Sequence, residues 1–339
     1  MKGSKKIWAL FVMIAMLASL TACGSKDDEG TKPTMATEPT EEAPEPTTAT
    51  DAPEPTDEAS ATEAYTVTLP DGTELTFDGV PKRIVSMGPN ITEILYAIGA
   101  GDKLVGRTTY SDYPEEALVI ESVGSIYSPD IEKILELQPD VVIGSIHFAE
   151  ETEEQLKGLG IQVAVLYDST SMEGVYDIIR TVGQIAGYAE EAEALAATTQ
   201  EKINAVIAAV SQEESKPTVY YVVGYGEYGD YTASGDTFIG QMLAAAGGDN
   251  IASGVSGWIY SLETLLDADP DIIIIGLGEA EGFKTAENYN KLSAVLNDMV
   301  YEIDRNLLDR QGYRNAEGME ALRDIISEGM QALQGIREE

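Results

Sequence analysis

The stretch IEKILELQPDVVIG, residues 131–144, is nearly repeated by LETLLDADPDIIIIG, residues 262–276. The glutamate, proline and aspartate of the first copy recur at a constant offset of 131 residues, so that Glu132 corresponds to Glu263. In each copy, an apolar run of helical period is followed by Pro-Asp and by a continuous β-branched run. This order predicts a helix that ends at a proline, and then a buried strand. We therefore expect two halves of related architecture, with this unit at the equivalent place in each.

A second echo supports two related halves. EILYAIGAGDKLV, residues 93–105, corresponds to QMLAAAGGDNIA, residues 241–252, and the two echoes keep the same order along the chain. Around them, strand-like runs alternate with helical runs, which is typical of largely parallel sheets covered on both faces. The sequence therefore predicts an α/β protein with two Rossmann-like lobes, residues 65–173 and residues 214–339.

The segment between the two lobes has a different pattern. Residues 174–213 are helical in pattern almost throughout, with a predicted break near Gly187. A single helix of about 24 residues would span about 36 Å, which is longer than one lobe needs. We interpret the segment as a helical strut between the lobes; the alternative is two ordinary helices packed on one domain.

Three local patterns predict where individual elements begin or turn. Asp71-Gly72 lies within the alternating stretch YTVTLPDGTELTF and predicts a hairpin. Asn90 and Glu93 have the spacing of a capping box at the start of a helix. Ser128 and Pro129 suit the N-cap and the first position of the helix in the first repeated stretch.

The start of the chain is interpreted as a leader and a tether. Residues 1–22 combine a positive start, an apolar core and LTA, which predicts a signal peptide; the alternative is a transmembrane anchor. LTAC resembles the lipobox of bacterial lipoproteins, in which the cysteine is acylated, and Cys23 is the only cysteine in the chain. Residues 23–64 are rich in proline, threonine and acid, which predicts a disordered tether. We expect a globular domain held by lipid at a membrane surface.

The composition argues against two classes of interaction. The chain has 59 acidic and 21 basic residues and a formal net charge of −38, so a nucleic acid is not an expected partner. With one cysteine, an intrachain disulfide is impossible.

The chain resembles the substrate-binding proteins of bacterial ABC importers, of the kind that carries cobalamin, ferric siderophores or haem. The resemblance extends from about Val80 to Gln334 and is carried by PKRIVSMGPNITEILYAIGAGDKLVGRTTYSDYP, the repeated stretches, the strut and DRQGYRNAEGMEAL. It implies two α/β lobes joined by a rigid helix, slight closure on a ligand held between them, no catalysis and no cofactor. It further implies a monomer that delivers its ligand to an ABC permease. A lipid anchor and a tether suit export to the outer face of a Gram-positive cytoplasmic membrane.

Glu132 and Glu263 are the predicted permease-docking residues. Each lies in the first turn of its predicted helix, where the helix dipole favours a carboxylate, and that is the ordinary interpretation. The resemblance implies more, because one surface glutamate on each lobe of such proteins docks to arginines of the permease.

Three aromatic residues are the leading candidates for ligand contact. Tyr110 lies in TTYSDYP, a loop after a strand, where open α/β sheets bind ligands. The stretch YSDYP resembles that of cobalamin-binding members, in which the first tyrosine lines the pocket; Tyr113 can instead pack beside Pro114. Tyr127 and Trp258 precede the two repeated helices, and the indole lies outside any periodic apolar face. We expect all three to stack on the ligand.

Four further residues have competing interpretations. His147, the only histidine, ends a predicted strand and could contact the ligand or simply hydrogen-bond within its loop. Tyr225, like Tyr228, lies in GYGEYG, which matches G-x-G-x-x-G but is not followed directly by a helix, so we predict a loop at the ligand cleft and not a dinucleotide site. Arg310 and Arg314 correspond to an arginine pair of ferric-siderophore binders, although Gln311 replaces the usual proline; surface salt bridges are the alternative.

The predicted ligand is a corrinoid such as cobalamin. The alternative is a ferric siderophore or haem, but a tri-anionic catecholate complex needs several arginines or lysines in the cleft, and this acidic domain is short of both. An α/β enzyme or a sugar-nucleotide-binding surface protein is a third possibility. It would require a phosphate loop or a catalytic constellation, and no G-x-S-x-G motif occurs in the sequence.

Overall fold

The computed structural model describes residues 64–338 apart from residues 146–147, 167–169 and 213–214. The predicted signal peptide, Cys23 and His147 therefore lie outside the described residues. Among the helices that are described, none is long and apolar enough to cross a membrane.

The first lobe is built on a four-stranded parallel sheet with the order β4–β3–β7–β8. A separate antiparallel pair, β1 with β2, precedes it and confirms the hairpin predicted at Asp71-Gly72. The elements are β1 (Tyr65–Thr68), β2 (Glu74–Phe77), β3 (Ile84–Met87), α1 (Pro89–Ala97), β4 (Leu104–Arg107), β5 (Gly124–Ser125), β6 (Ser128–Pro129), α2 (Ile131–Glu136), β7 (Val141–Gly144), α3 (Glu150–Gly158) and β8 (Gln162–Val165).

The second lobe has a five-stranded sheet in which β9 and β12 are central. β9 pairs in parallel with β12 and β11, β12 pairs in parallel with β13, and β10 is antiparallel to β9. The elements are β9 (Thr218–Gly224), β10 (Tyr231–Thr232), α6 (Phe238–Ala245), β11 (Asp249–Asn250), α7 (Leu262–Ala268), β12 (Ile272–Gly276), α8 (Ala280–Thr285), α9 (Ser293–Leu296), β13 (Val300–Ile303), α10 (Asn306–Asp309) and α11 (Asn315–Glu338).

Two helices, α4 (Met172–Ala186) and α5 (Ala189–Val210), connect the lobes. They are separated at Gly187, which adopts the left-handed conformation with φ 76°, as the break predicted there requires. They pack closely, since a β-carbon at Gly183 would lie 2.1 Å from the Ala192 Cβ. α4 packs on α1 and β1 of the first lobe, whereas α5 packs on α6 and α11 of the second. The predicted α/β fold with two sheets and a long helix is confirmed, and α5 is the helix that joins the lobes.

The lobes share one apolar core. Its largest cluster runs without interruption from Ile84 and Ile91 of the first lobe through Val182 and Ile203 of the connecting helices to Val219 of the second. All five side chains are buried. Burial of apolar surface therefore stabilises the lobes and their connection together.

Each repeated stretch begins its helix with a side-chain cap at an equivalent position. The Asp130 carboxylate accepts a hydrogen bond from the Lys133 backbone N–H at 3.1 Å. The Ser261 Oγ accepts one from the Thr264 backbone N–H at 3.2 Å. The prediction that Ser128–Pro129 starts α2 is wrong, because these residues pair with β5 and Asp130 takes the N-cap instead.

The aspartate of each repeated Pro-Asp pair ties the start of its strand to the neighbouring strand. The Asp140 Oδ2 accepts hydrogen bonds from the backbone N–H groups of Lys82 at 2.7 Å and Arg83 at 2.9 Å, just before β3. The Asp271 Oδ2 accepts bonds from the Thr218 N–H at 2.9 Å and the Thr218 hydroxyl at 2.8 Å, at the start of β9. The repeated phrase is therefore a structural unit that registers two central strands in each lobe.

The start of α1 differs from the prediction. α1 begins at Pro89 with Gly88 as N-cap and without a side-chain cap, so the capping box predicted for Asn90 and Glu93 is wrong. Proline is favoured at the first helical position because it has no N–H to leave unsatisfied. Both Asn90 and Glu93 instead make contacts with the second lobe.

Replacing Asp271 with alanine tests the registering role of the repeated aspartate. We expect the free energy of unfolding to fall by about 1–3 kcal/mol, because two donors of Thr218 lose their acceptor. Urea denaturation measures the change, with Asp267→Ala, an exposed aspartate on α7, as the control. A loss no greater than that of the control would contradict this role.

Candidate functional site

A cavity of about 660 Å³ opens between the two lobes. Its walls come mainly from loops and helix starts that follow the carboxyl ends of strands in both sheets. This is the position at which open α/β sheets bind ligands. The lining residues are Pro89, Asn90, Tyr110, Ile126, Tyr127, Ser145, Thr170, Asp236, Thr237, Phe238, Ile239, Gly257, Trp258, Asn306, Leu308, Asp309, Arg310 and Gln311.

Aromatic side chains stand in the cavity wall on both lobes. Tyr110 and Tyr127 of the first lobe meet edge to face, with ring centroids 6.4 Å apart and planes at 82°. Trp258 stands on the second lobe. The three side chains are 49 %, 65 % and 45 % exposed, which is unusual for large aromatic residues in a folded domain. Aromatic faces left open to a cavity offer stacking surfaces for a planar or conjugated ligand.

Asp236 holds the loop that carries Trp258. Its carboxylate accepts hydrogen bonds from the hydroxyls of Ser234 and Ser256 and from the Gly257 backbone N–H at 3.1 Å. These bonds, led by that of Ser234, lower the pKa of Asp236. The indole is therefore presented by a loop that is tied down at the residue directly before it.

A buried ion cluster joins the lobes at the edge of the cavity. Glu93 of α1 is 2 % exposed, and its Oε1 accepts hydrogen bonds from the Nη1 atoms of Arg310 at 2.7 Å and Arg314 at 3.4 Å. The Arg310 Nη1 also lies 2.8 Å from the Asp112 Oδ1, and its Nη2 donates to the Tyr110 carbonyl at 3.1 Å. Burial raises the pKa of Glu93, and the two arginines act in the opposite direction. Charged groups of both lobes thus satisfy one another across the interface.

Further contacts extend this lobe interface. The Asn90 Nδ2 donates to the Gln311 carbonyl at 3.0 Å. The Arg314 guanidinium carbon lies 4.1 Å from the centroid of the Tyr113 ring, a cation–π contact. Arg314 is buried and does not line the cavity, whereas Arg310 does. The arginine pair predicted to contact the ligand is therefore engaged mainly between the lobes.

Tyr225 is not among the residues that line the cavity. Its ring packs edge to face on Phe283 and Tyr289, with centroids 5.1 Å and 5.5 Å away. The backbone after β9 makes a short 3-10 helix, Gly226–Tyr228, and α6 begins only at Phe238. The glycines therefore do not lead into a helix N-terminus, as a dinucleotide-binding loop would require.

The remaining predicted site residues lie elsewhere. Glu132 and Glu263 are exposed in the first turns of α2 and α7, outside the cavity. His147 stays a prediction, because it is outside the described residues. Over the part of the chain that is described, no group of three or more acidic, cysteine or histidine side chains could hold a metal ion.

Two acidic residues of the cavity wall were missed by the sequence analysis. Asp236 follows β10 just before α6, and Asp309 ends α10 beside Arg310. The surrounding protein raises the pKa of Asp309 by desolvation, although the charges of Arg305 and Arg310 act against the rise. The position of Asp236 shortly after a strand was a usable signal, but in so acidic a chain neither aspartate stood out.

Comparison with known proteins gives a family and a set of relatives. The family described as "Periplasmic binding protein" matches residues 84–307. The uncharacterized ABC transporter substrate-binding lipoprotein YvrC of Bacillus subtilis is 30 % identical over 336 residues, which cover 96 % of this chain and 98 % of the relative. A cobalamin-binding protein of Halobacterium salinarum is 31 % identical over 223 residues, which cover 63 % of this chain and 59 % of the relative.

Solved structures share the fold. The periplasmic haem-binding protein RhuT of Roseiflexus sp. RS-1, in its apo form, superposes with a TM-score of 0.68 at 27 % identity. The match covers 73 % of this chain and 98 % of that one. The two-lobed architecture described above is therefore also found in solved proteins.

Replacing Glu93 with glutamine tests the interface cluster. We expect the free energy of unfolding to fall by about 3 kcal/mol, because removing one partner leaves buried guanidinium groups without their carboxylate. Arg310 keeps Asp112, which limits the loss. Urea denaturation measures the change.

Glu317→Gln is the matched control for that experiment. Glu317 is exposed and reaches the Arg314 Nε only at 3.8 Å, so its removal should change the stability by less than about 0.5 kcal/mol. If both substitutions lowered the free energy of unfolding equally, the buried Glu93 cluster would not stabilise the protein more than an exposed ion pair does.

Proposed function

The chain belongs to the periplasmic binding protein family, and from that premise we propose that it captures a corrinoid of the cobalamin type between its lobes and delivers it to an ABC permease. The predicted resemblance to substrate-binding proteins of ABC importers is confirmed by the family match and by the relative that spans nearly the whole chain. The family consists of solute-binding proteins and not of enzymes. The identity of the ligand is the part that is proposed.

The single observation that carries the proposal is the pair of aromatic walls. Tyr110 and Tyr127 on one lobe and Trp258 on the other flank a cavity whose volume of about 660 Å³ lies in the range of ligand sites. A corrinoid is a large conjugated macrocycle, and its faces and edges suit contact with such rings. A relative with 31 % identity is named a cobalamin-binding protein.

Haem or a ferric siderophore is the alternative ligand. A structural neighbour is named a haem-binding protein, and the aromatic walls would also suit haem. Such ligands carry carboxylates or other anionic groups, which arginine or lysine recognises. Among the described lining residues, Arg310 is the only basic one, and it already contacts Glu93 and Asp112. This favours the corrinoid.

We also propose that the protein is exported and anchored by lipid on Cys23, with residues 23–64 as its tether. These residues are outside the described part of the chain, and the support comes from the lipobox and from the relative. YvrC, which matches 96 % of this chain, is named a lipoprotein. A lipidated cysteine would keep the binding lobes close to the permease.

Docking to the permease is proposed to use Glu132 and Glu263. Both are exposed, and they occupy equivalent places in the two repeated units, one on each lobe. Two carboxylates so placed offer a two-point contact for basic groups of a permease. Rim charges of this kind act mainly on the association rate and on the register of a complex.

The ligand can be identified by titrating the full chain, carrying Trp8→Phe, with cyanocobalamin, haemin and a ferric siderophore. Trp258 is then the only tryptophan. We expect saturable quenching of its fluorescence by cyanocobalamin, because the corrinoid would lie against the indole. The inner-filter absorption is corrected with free tryptophan. Quenching by haemin or the siderophore alone would make the alternative ligand correct.

Replacing Trp258 with alanine tests its contact with the ligand. Equilibrium dialysis, read from the visible absorption of cyanocobalamin, should show a dissociation constant about tenfold higher, because a stacking surface is lost. Ile259→Ala is the control, since Ile259 is 72 % exposed and does not line the cavity. A dissociation constant unchanged by Trp258→Ala would remove the indole from the site.

Replacing Glu132 or Glu263 with alanine tests the docking proposal. We expect the association rate with the reconstituted permease to fall several-fold at low salt, with the effect reduced at high salt by screening. Cyanocobalamin affinity should stay unchanged, because neither residue lines the cavity. Glu136→Ala, also exposed on α2, is the matched control. Equal association rates for Glu132→Ala and Glu136→Ala would contradict docking through Glu132.

A further inference from the structure

The charge of the cavity wall is negative among its described residues. Asp236, Asp309 and Arg310 are the charged side chains there. The Arg310 guanidinium is paired with Glu93 and Asp112, and its side chain is only 11 % exposed. Its positive charge is therefore already matched by the protein, and little of it faces a ligand.

The two aspartates differ in how far their charge is compensated. Asp236 receives hydrogen bonds from Ser234, Ser256 and the Gly257 backbone, which orient and satisfy its carboxylate. Asp309, at the end of α10, keeps an exposed surface although the surrounding protein partly desolvates its carboxylate, and the charges of Arg305 and Arg310 act on it. Arg305 is itself bound to Glu279, with its Nη2 2.8 Å from the Glu279 Oε2. Both aspartates are exposed. The Asp236 carboxylate is engaged by hydrogen bonds of its own loop, so Asp309 has more acceptor capacity to offer a ligand.

We propose that Asp309 makes the cavity select corrinoids by the charge of their periphery, accepting fully amidated rings and discriminating against those with free carboxylates. This inference rests on the proposed corrinoid function and deepens it. The reason is chemical. A peripheral amide N–H donates a hydrogen bond to a carboxylate, whereas a ligand carboxylate has no such proton and meets a like charge.

The expected difference in affinity follows from the repulsion between Asp309 and a ligand carboxylate at the cavity wall. Two like charges a few ångströms apart at a partly hydrated wall repel strongly enough for a difference of about tenfold in affinity. Such repulsion is screened by salt, because the Debye length falls from about 30 Å at 0.01 M to about 3 Å at 1 M. A preference that arose from shape alone would not depend on salt in this way.

Cyanocobalamin and its monocarboxylates, in which one peripheral propionamide is hydrolysed to propionate, are the matched probes. Each isomer is measured separately by equilibrium dialysis against the full chain. We expect cyanocobalamin to bind about tenfold more tightly than at least one isomer at low salt. In Asp309→Asn, that isomer should bind more tightly and cyanocobalamin somewhat less tightly, so the preference narrows to about twofold.

The control variant is Asp267→Asn, which makes the same change of charge on an exposed residue outside the cavity and should leave the preference intact. Raising the salt concentration with the unaltered chain is a second readout that needs no variant, and it should also narrow the preference. A preference that is absent, or that Asp309→Asn and salt both leave unchanged while cyanocobalamin binds, overturns this inference alone. Failure of cyanocobalamin to bind at all overturns the proposed function and this inference with it.

Discussion

The contact on which the two-lobed arrangement depends is the buried carboxylate of Glu93 between two arginines of the other lobe. A carboxylate with 2 % exposure is costly to desolvate unless charged donors replace its water, and Arg310 and Arg314 supply them. The same guanidinium of Arg310 also borders the cavity. One cluster therefore contributes both to the relative position of the lobes and to the chemistry of the cavity wall. A ligand that contacts Arg310 meets a guanidinium already bound to Glu93.

Much of the fold could be predicted because the same helix–Pro-Asp–strand unit occurs in both halves of the sequence. The offset of 131 residues relates the caps Asp130 and Ser261 as well as the strand-tying aspartates Asp140 and Asp271. The repeat did not predict the start of α2 correctly. Serine, proline and aspartate are all common at helix starts, and pairing of Ser128–Pro129 with β5 decided among them. A tertiary contact overrode a local preference.

The candidate site was predictable in its aromatic part and not in its charged part. Tyr110, Tyr127 and Trp258 follow or precede regular elements, and loops at the carboxyl ends of parallel strands converge on one edge of a sheet. The sequence around an arginine does not indicate which carboxylate it will bind. Glu93, which Arg310 binds, lies 217 residues away in the chain. Glu93 was predicted to complete a capping box because it lies three residues after Asn90. That spacing carries no information about the contact that Glu93 makes with Arg310 of the other lobe. The packing of Tyr225 could not be predicted for a similar reason, since its aromatic neighbours Phe283 and Tyr289 come much later in the chain.

The core that runs through α4 and α5 has a consequence for how the molecule can come apart. Ile203 and Val206 of α5 are buried in the same apolar cluster as residues of both sheets. The helix therefore belongs to the core of both lobes. A cut in the chain after α5 would leave its apolar face without cover on one side, and a cut before it would do the same to the other lobe. The two lobes enclose one cavity between them, but they form a single unit of cooperative unfolding. Partial proteolysis should accordingly yield either the intact domain or small peptides, with no stable half.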